Sequence, residues 1–266
     1  MQKLNKIIQG DCIEIMKSIP DNTFDLIFAD PPYYLQLPNR KLYRKNGTEV
    51  IPVNQDWDKF NSYEDYDKFT ESWLKECKRV LKYTGTIWIT GMYHNIFRVG
   101  KIMQDLDFWI LNDIIWVKLN AMPNFNGRRF TNNHETIIWA TKNKNCKNYI
   151  FNNTLMNKMN NGAQMKDTDW VFSICNGDER LRDLNGLKSH PTQKPLKLIQ
   201  QIILASTKKG GVILDPFIGS GTTAIVSEAL GRKWIGIEKD KTYFNLANTR
   251  IKNFIYTQNK KNDKKV

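Results

Sequence analysis

Asp30, Pro31, Pro32 and Tyr33 close the apolar run Phe24-Asp25-Leu26-Ile27-Phe28-Ala29. Two consecutive prolines fix their own φ, lack N–H donors and push the preceding residue out of the helical region. The resulting rigid corner displays a carboxylate, two main-chain carbonyls without competing N–H partners and a flat ring. That set suits gripping an amino group on a planar heterocycle. Far downstream, Asp215-Pro216-Phe217-Ile218-Gly219-Ser220-Gly221-Thr222-Thr223 forms a second corner, a strand running into a glycine turn. Glycines let backbone approach a ligand closely, and the helix that follows offers free N–H groups to an anion. The turn lacks the third glycine of a dinucleotide fingerprint, the Gly-Lys-Thr of a phosphate loop and the G-x-S-x-G of a nucleophile elbow. Glu238 ends the next strand, where an acid accepts hydrogen bonds from ribose hydroxyls.

A nucleoside without a pyrophosphate is therefore the expected ligand, and S-adenosylmethionine fits. Its tail carboxylate could use the glycine-turn N–H groups, and its ammonium Asp215 or Asp30. An exocyclic adenine N6 is a poor nucleophile because its lone pair is delocalised into the ring. Asp30 and the Pro31 carbonyl can each accept one N6–H, drawing the nitrogen toward tetrahedral geometry and stabilising the charge that develops on it. Tyr33 would stack on the base, which must leave the duplex to arrive there. The plain alternatives are an ordinary Asp-Pro-Pro turn, and a structural glycine turn with a surface glutamate. Finding both corners in one chain argues against them. The segment His190-Pro191-Thr192-Gln193-Lys194-Pro195 supplies a hydroxyl and a cation, with His190 read as a packing or capping residue rather than a base.

Positioning two such corners requires strands. Leu4–Gln9, Phe24–Ala29, Thr86–Thr90, Phe108–Trp116, Thr136–Ala140, Val212–Leu214 and Trp234–Ile237 read as strands. Helices are expected through Ile13 and Met16, over Tyr63–Leu81 ending at Tyr83-Thr84-Gly85, and over Ile96–Leu106, Pro195–Thr207, Thr222–Leu230 and Tyr243–Ile255. Strands alternating with helices predict an α/β fold, a parallel sheet covered on both faces. Residues 34–56 and 118–133 read as polar loops, and 142–190 as an elaboration on the main fold. The stretch from Gln258 reads as a frayed lysine-rich tail.

Forty Lys and Arg against 27 Asp and Glu give a formal charge of +13, most of it in the body of the chain. Such an excess favours a polyanionic partner, although a solubility device is the plainer explanation. Cys12, Cys77, Cys146 and Cys175 form no C-x-x-C pair, so neither zinc nor a disulfide framework is expected. With no basic-then-apolar leader and no apolar run long enough for a bilayer, the chain reads as cytoplasmic.

The Asp-Pro-Pro-Tyr tetrad paired with Phe-x-Gly-x-Gly resembles the amino-methyltransferases of DNA. With the tetrad first and the cofactor element last, it resembles their β group, a circular permutation of the usual Rossmann-like S-adenosylmethionine-dependent fold. Leu26–Tyr33, Tyr93–Gly100, Phe108–Ile114, Met122–Phe125, Gly127–Asn132 and His190–Pro195 look like the HinfI-like, cell-cycle-regulated adenine-N6 methyltransferases that modify GANTC. The resemblance implies Asp30, Pro31, Pro32 and Tyr33 as catalytic residues. It implies that Asp11, Cys12 and Ile13 contact the cofactor adenine, that Phe217, Gly219, Gly221, Thr222 and Thr223 line its methionine moiety, and that Glu238 holds the ribose. Thr192 and Lys194 would hold its tail. One methyltransferase domain is expected over residues 1–257, with target-recognition insertions near 34–56 and 118–190 and a basic tail at 258–266, and target recognition itself would fall in the 34–56 loop and the 118–133 stretch. There Arg128, Arg129, Asn124 and Asn132 can serve as major-groove donors, with Arg40, Lys41 and Arg44 among the basic residues at the backbone. Double-stranded DNA is the implied partner; a homodimer and a cognate restriction endonuclease stay open. Fuller members carry an additional C-terminal domain, for which the basic tail is expected to substitute through phosphate contacts. The rivals are cytosine-N4 methylation, whose corner typically begins with Ser, RNA or protein methylation, and a DNA-binding module that has lost catalysis.

Overall fold

The computed structural model describes residues 4–36, 42–43, 49–50, 55–121, 128–159 and 167–263. In chain order these form β1 (Lys6–Gln9), α1 (Cys12–Lys17), β2 (Phe24–Ala29), the short β3 (Leu42–Tyr43) and β4 (Glu49–Val50), α2 (Tyr63–Val80), β5 (Leu81–Gly91) and α3 (Ile96–Asp105). Then follow β6 (Trp109–Val117), β7 (His134–Thr141), α4 (Asn153–Met159), β8 (Asp169–Val171), α5 (Leu196–Ser206), β9 (Val212–Asp215), α6 (Thr222–Ala229), β10 (Lys233–Glu238) and α7 (Lys241–Asp263).

Among the described residues, one sheet has the order β1-β10-β9-β2-β5-β7-β6-β8. The pairs from β1 to β5 are all parallel. β7 runs antiparallel to both β5 and β6, and β8 returns parallel to β6. The α/β expectation holds, with one antiparallel strand in a mainly parallel sheet.

Alternation along β2 shows why a nearly continuous apolar run is needed. Leu26 and Phe28 join the layer packed by α4–α7, whereas Ile27 and Ala29 join the layer packed by α1–α3. A strand covered on both faces has no polar face to offer. Trp88 and Trp139 stack at 4.9 Å between centroids, and Trp88 Nε1 donates to Ser206 Oγ at 2.9 Å, so its buried N–H is satisfied. The helical spacing in α2 buries Tyr66, Trp73, Cys77 and Val80, and Ser62 caps it by accepting from Asp65 N at 3.2 Å. A cap of this kind stabilises a helix by about 1 kcal/mol.

Two expectations are corrected. β5 starts at Leu81 rather than at Thr86, because Leu81 already pairs with Phe24 and residues 82–85 bulge before Thr86 pairs with Leu26, so α2 ends at Val80, one residue before the expected Leu81. The stretch from Gln258 continues α7 to Asp263 instead of fraying. The 142–190 segment, read as an elaboration on the main fold, adds a strand to the main sheet: β8 aligns Trp170 with Trp116 and buries it in the core.

Because β1, β10, β9, β2 and β5 run the same way, their carboxyl ends meet along one edge. Asp11, Glu238, Asp215, Asp30 and Thr90 therefore lie at that edge, where ligands bind in open α/β sheets. β7 enters from this edge and β6 leaves by it, which brings Glu135 and Lys118 to the same place.

Candidate active site

Asp30 leaves the end of β2 with its carboxylate held from three sides. Oδ1 accepts from Thr90 Oγ1 at 2.6 Å and from the Tyr33 hydroxyl at 2.8 Å, while Oδ2 accepts from Lys194 Nζ at 2.6 Å. The Tyr33 hydroxyl also lies 3.1 Å from Glu135 Oε2, and Lys194 Nζ lies 3.7 Å from the same atom. Lys118 pairs with Glu135 Oε1 at 2.7 Å. Two lysines thus balance two carboxylates around one phenol. Burial pulls the Lys194 ammonium down, but Asp30 and Glu135 outweigh it and leave the pKa raised. Burial, reinforced by Asp30 and Glu135, pushes the Tyr33 phenol well up, so it remains neutral.

A second carboxylate shapes the backbone behind the tetrad. Asp58 Oδ1 accepts from Tyr33 N and Tyr34 N, both at 2.7 Å, and Oδ2 from Leu35 N at 2.9 Å. These N–H groups converge where Tyr34 adopts a left-handed φ of 52°. The Tyr66 hydroxyl donates to the Pro32 carbonyl at 2.9 Å, fixing the corner from α2.

Beside Asp30 opens a cavity of about 640 Å³ whose lining includes Asp11, Cys12, Asp30, Phe217, Gly219 and Glu238. Six of the expected cofactor residues thus share one wall. Asp11 also caps α1, accepting from Ile13 N at 3.0 Å, and Glu238 Oε2 accepts from Gly219 N at 2.9 Å. Burial raises the Glu238 carboxyl, and burial with the neighbouring Asp11 pushes the Cys12 thiol up to about 12, leaving it an apolar surface. Gly219 has φ 49°, and a Cβ there would sit 2.8 Å from His190 Nε2. Gly221, at φ 80°, precedes α6 and packs on Ala247.

Other expected residues stand outside the lining. Asp215 is buried, with Oδ1 accepting from Phe217 N at 3.0 Å and Oδ2 from Thr223 Oγ1 at 2.6 Å. Burial pushes its carboxyl up to about 7. Thr222 Oγ1 accepts from Arg250 Nη1 at 3.0 Å, and Thr192 N donates to His190 Nδ1 at 3.3 Å. Ile13, the second residue of α1, is half-buried. The glycine-turn N–H groups offered to a cofactor tail are partly committed, Gly219 N to Glu238 and Gly221 N to the Ile218 carbonyl at 2.8 Å. Asp215 is likewise committed and unavailable to an ammonium. His190 packs against Tyr243 at 4.4 Å, and burial, aided by Lys194, lowers it to about 3, which suits a neutral capping residue.

Of the expected DNA contacts, Arg128 and Arg129 are exposed, and Arg129 Nη1 donates to the Tyr93 hydroxyl at 2.7 Å. Asn132 is half-buried, three residues before Glu135. Arg40, Lys41, Arg44 and Asn124 lie outside the described residues. Sequence reasoning missed Thr90, Lys118, Glu135 and Asp58, and also Trp57, which lines the cavity. The available signal was positional: Lys118 follows β6 and Glu135 is the second residue of β7, at sheet-edge points where a charge must find a partner.

The cavity's size suits an adenosyl ligand, and its apolar Phe69, Phe217, Cys12 and Ile237 beside Glu238 fit a base and a ribose. Comparison with known proteins agrees. A family model described as DNA methylase matches residues 24–249. The chain is 52% identical over 249 residues to the Type II methyltransferase M.HinfI of Haemophilus influenzae, covering 94% of this chain and 68% of that one. It is 42% identical over 245 residues to the Type II methyltransferase M2.DpnII of Streptococcus pneumoniae, covering 92% of this chain and 88% of that one. The crystal structure of the M1.HpyAVI–SAM complex superposes with a TM-score of 0.66 at 27% identity, over 92% of this chain and 98% of that one. The cytosine-N4-specific PvuII DNA methyltransferase shares the fold, with a TM-score of 0.69 at 21% identity over 92% of this chain and 85% of that one. The expected fold and family are both borne out: the chain belongs to the DNA methylase family, and is an S-adenosylmethionine-dependent DNA methyltransferase.

Proposed function

We propose that the enzyme methylates N6 of an adenine flipped out of double-stranded DNA, within GANTC. What carries this reading is the Asp30 carboxylate at the cavity edge, with a proline on its C-terminal side and three donors fixing its orientation. S-adenosylmethionine supplies the electrophilic methyl group. Asp11, Cys12, Phe217, Gly219 and Glu238 would hold it, with Thr192, Lys194, Asp215, Gly221, Thr222 and Thr223 supporting that wall. Asp30 and the Pro31 carbonyl accept the two N6–H bonds and localise the nitrogen lone pair. Thr90, Tyr33 and Lys194 hold the carboxylate against rotation, an arrangement that needs little reorganisation as charge develops. Tyr33 offers its ring to the base. Arg128, Arg129 and Asn132, with Arg40, Lys41, Arg44 and Asn124, supply the contacts to groove and backbone, in the 34–56 and 118–190 segments.

Asp rather than Ser at position 30 favours adenine over cytosine. The Type II naming of the relatives supports a cognate endonuclease, and a second copy of the chain is the other partner proposed. No helix among the described residues is long and apolar enough to cross a membrane; a cytoplasmic location is proposed from the likeness to DNA methyltransferases. Methyl transfer to a duplex with one GANTC, beside a duplex with its adenine replaced, tests the reading. Label recovered as N6-methyladenine from the first alone is expected. Label as N4-methylcytosine, or in both duplexes, would overturn the assigned base or site.

A further inference from the structure

Glu135 is a buried carboxylate that the methyl transfer itself leaves unused. Its placement is specific. The Tyr33 hydroxyl lies 2.8 Å from Asp30 Oδ1 and 3.1 Å from Glu135 Oε2, so one phenol touches both carboxylates. Lys194 Nζ spans the same two groups at 2.6 and 3.7 Å. On its far side Glu135 meets Lys118 at 2.7 Å, next to Leu119, which is 70% exposed. We propose that Asp30, Tyr33 and Glu135 form a proton wire that carries the surplus proton of the methylated amine out of the site, with Glu135 as its outer terminus.

This rests on the adenine-N6 reading. The amine nitrogen forms its bond to the methyl carbon as the S–C bond of the donor breaks, the electron pair of that bond staying on sulfur. The nitrogen then carries one proton too many, and the Asp30 carboxylate takes it. Protonated Asp30 donates to the Tyr33 oxygen while Tyr33 passes its own proton to Glu135. Asp30 ends ionised, Tyr33 neutral and Glu135 protonated, and Glu135 loses the proton to solvent beside Lys118. One proton leaves per methyl group. Lys194 keeps a carboxylate neighbour at each stage, because Asp30 and Glu135 are never protonated together. Tyr33, neutral at rest and held between two acceptors, suits a relay better than a base. Glu135 acts through Tyr33 and is a positioning residue in this scheme.

Glu135→Gln preserves the size and an acceptor oxygen but cannot take the proton, and Tyr33→Phe preserves the ring but breaks the wire. Each should lower kcat about 10- to 100-fold, with the dissociation constant of S-adenosylmethionine and KM for the duplex unchanged. The double variant should be no slower than the slower single one, since both cut one path. The deficit should shrink as pH is raised or imidazole is added, which a merely structural loss would not do. Wild-type kcat in Glu135→Gln, multiplicative losses in the double variant, or a deficit indifferent to both pH and imidazole would overturn the wire. Should Glu135→Gln fail to fold with Lys118 unpaired, Tyr33→Phe alone carries the test. An inactive wild-type chain would instead refute the adenine-N6 reading.

Discussion

Three donors converge on Asp30, and its variants separate orientation from binding. Asp30→Ala should abolish turnover, by about 1,000-fold or more, while S-adenosylmethionine binding measured by calorimetry stays largely intact. Retained turnover would remove Asp30 from the mechanism. Asp58 is the less obvious residue. It neutralises three N–H groups of a backbone segment held partly in the left-handed region, so Asp58→Ala leaves those donors without their acceptor. A stability loss of about 3 kcal/mol is expected, read from denaturant unfolding. The Asp-Pro-Pro-Tyr corner was legible because its residue types are improbable together and lie in one stretch. Asp58 and Glu135 were not, because each acts on a group distant in sequence, 25 residues away for Tyr33 N and 102 for the Tyr33 hydroxyl.

The element that sets the cofactor wall is the turn between β9 and α6. Gly219 adopts φ 49° with His190 packed against it, so Gly219→Ala meets both a backbone penalty and a ring. S-adenosylmethionine binding should weaken about tenfold, on the scale of the 1–2 kcal/mol left-handed penalty, in a calorimetric titration. Asp215 ends β9 and ties the turn to α6 through Thr223. Burial raises its carboxyl from 3.8 to about 7 in the folded chain. The folded state therefore holds a proton that the unfolded chain has released between those values, and stability falls as pH rises through that window. Asp215→Asn should flatten this fall when denaturant midpoints are compared between pH 4 and pH 8. A pH dependence identical to wild type would show that Asp215 does not titrate in the window.

At the scale of the molecule, a formal charge of +13 makes duplex affinity an electrostatic quantity. Affinity should fall steeply with salt, and the slope of log K against log salt reports how many phosphates the protein neutralises. The lysine-rich end begins in the last part of α7, which reaches Asp263. Deleting from Gln258 should weaken duplex binding at low salt and reduce that slope by about one for each phosphate the shortened chain leaves to its counterions. An unchanged slope would separate this end from DNA binding. Fold class was readable at this scale too, since apolar runs such as Phe24–Ala29 alternate with helical spacing such as that of α2. The antiparallel direction of β7 was not readable, because Thr136–Ala140 buries both faces whichever way it runs.

By itself the sequence determined the chemistry on offer: a rigid carboxylate corner, a glycine turn with an acid beyond it, and enough apolar strands to hold both. Those signals are local, each depending on neighbours within a few residues. Only the tertiary structure decided which groups share charge. Parallel β2 and β5 with antiparallel β7 bring Asp30, Thr90 and Glu135 to one edge, and the segment before α5 brings Lys194 across 164 residues to meet them. Buried charges must be paired to be tolerated, and their partners are set by the register and direction of strands rather than by spacing along the chain.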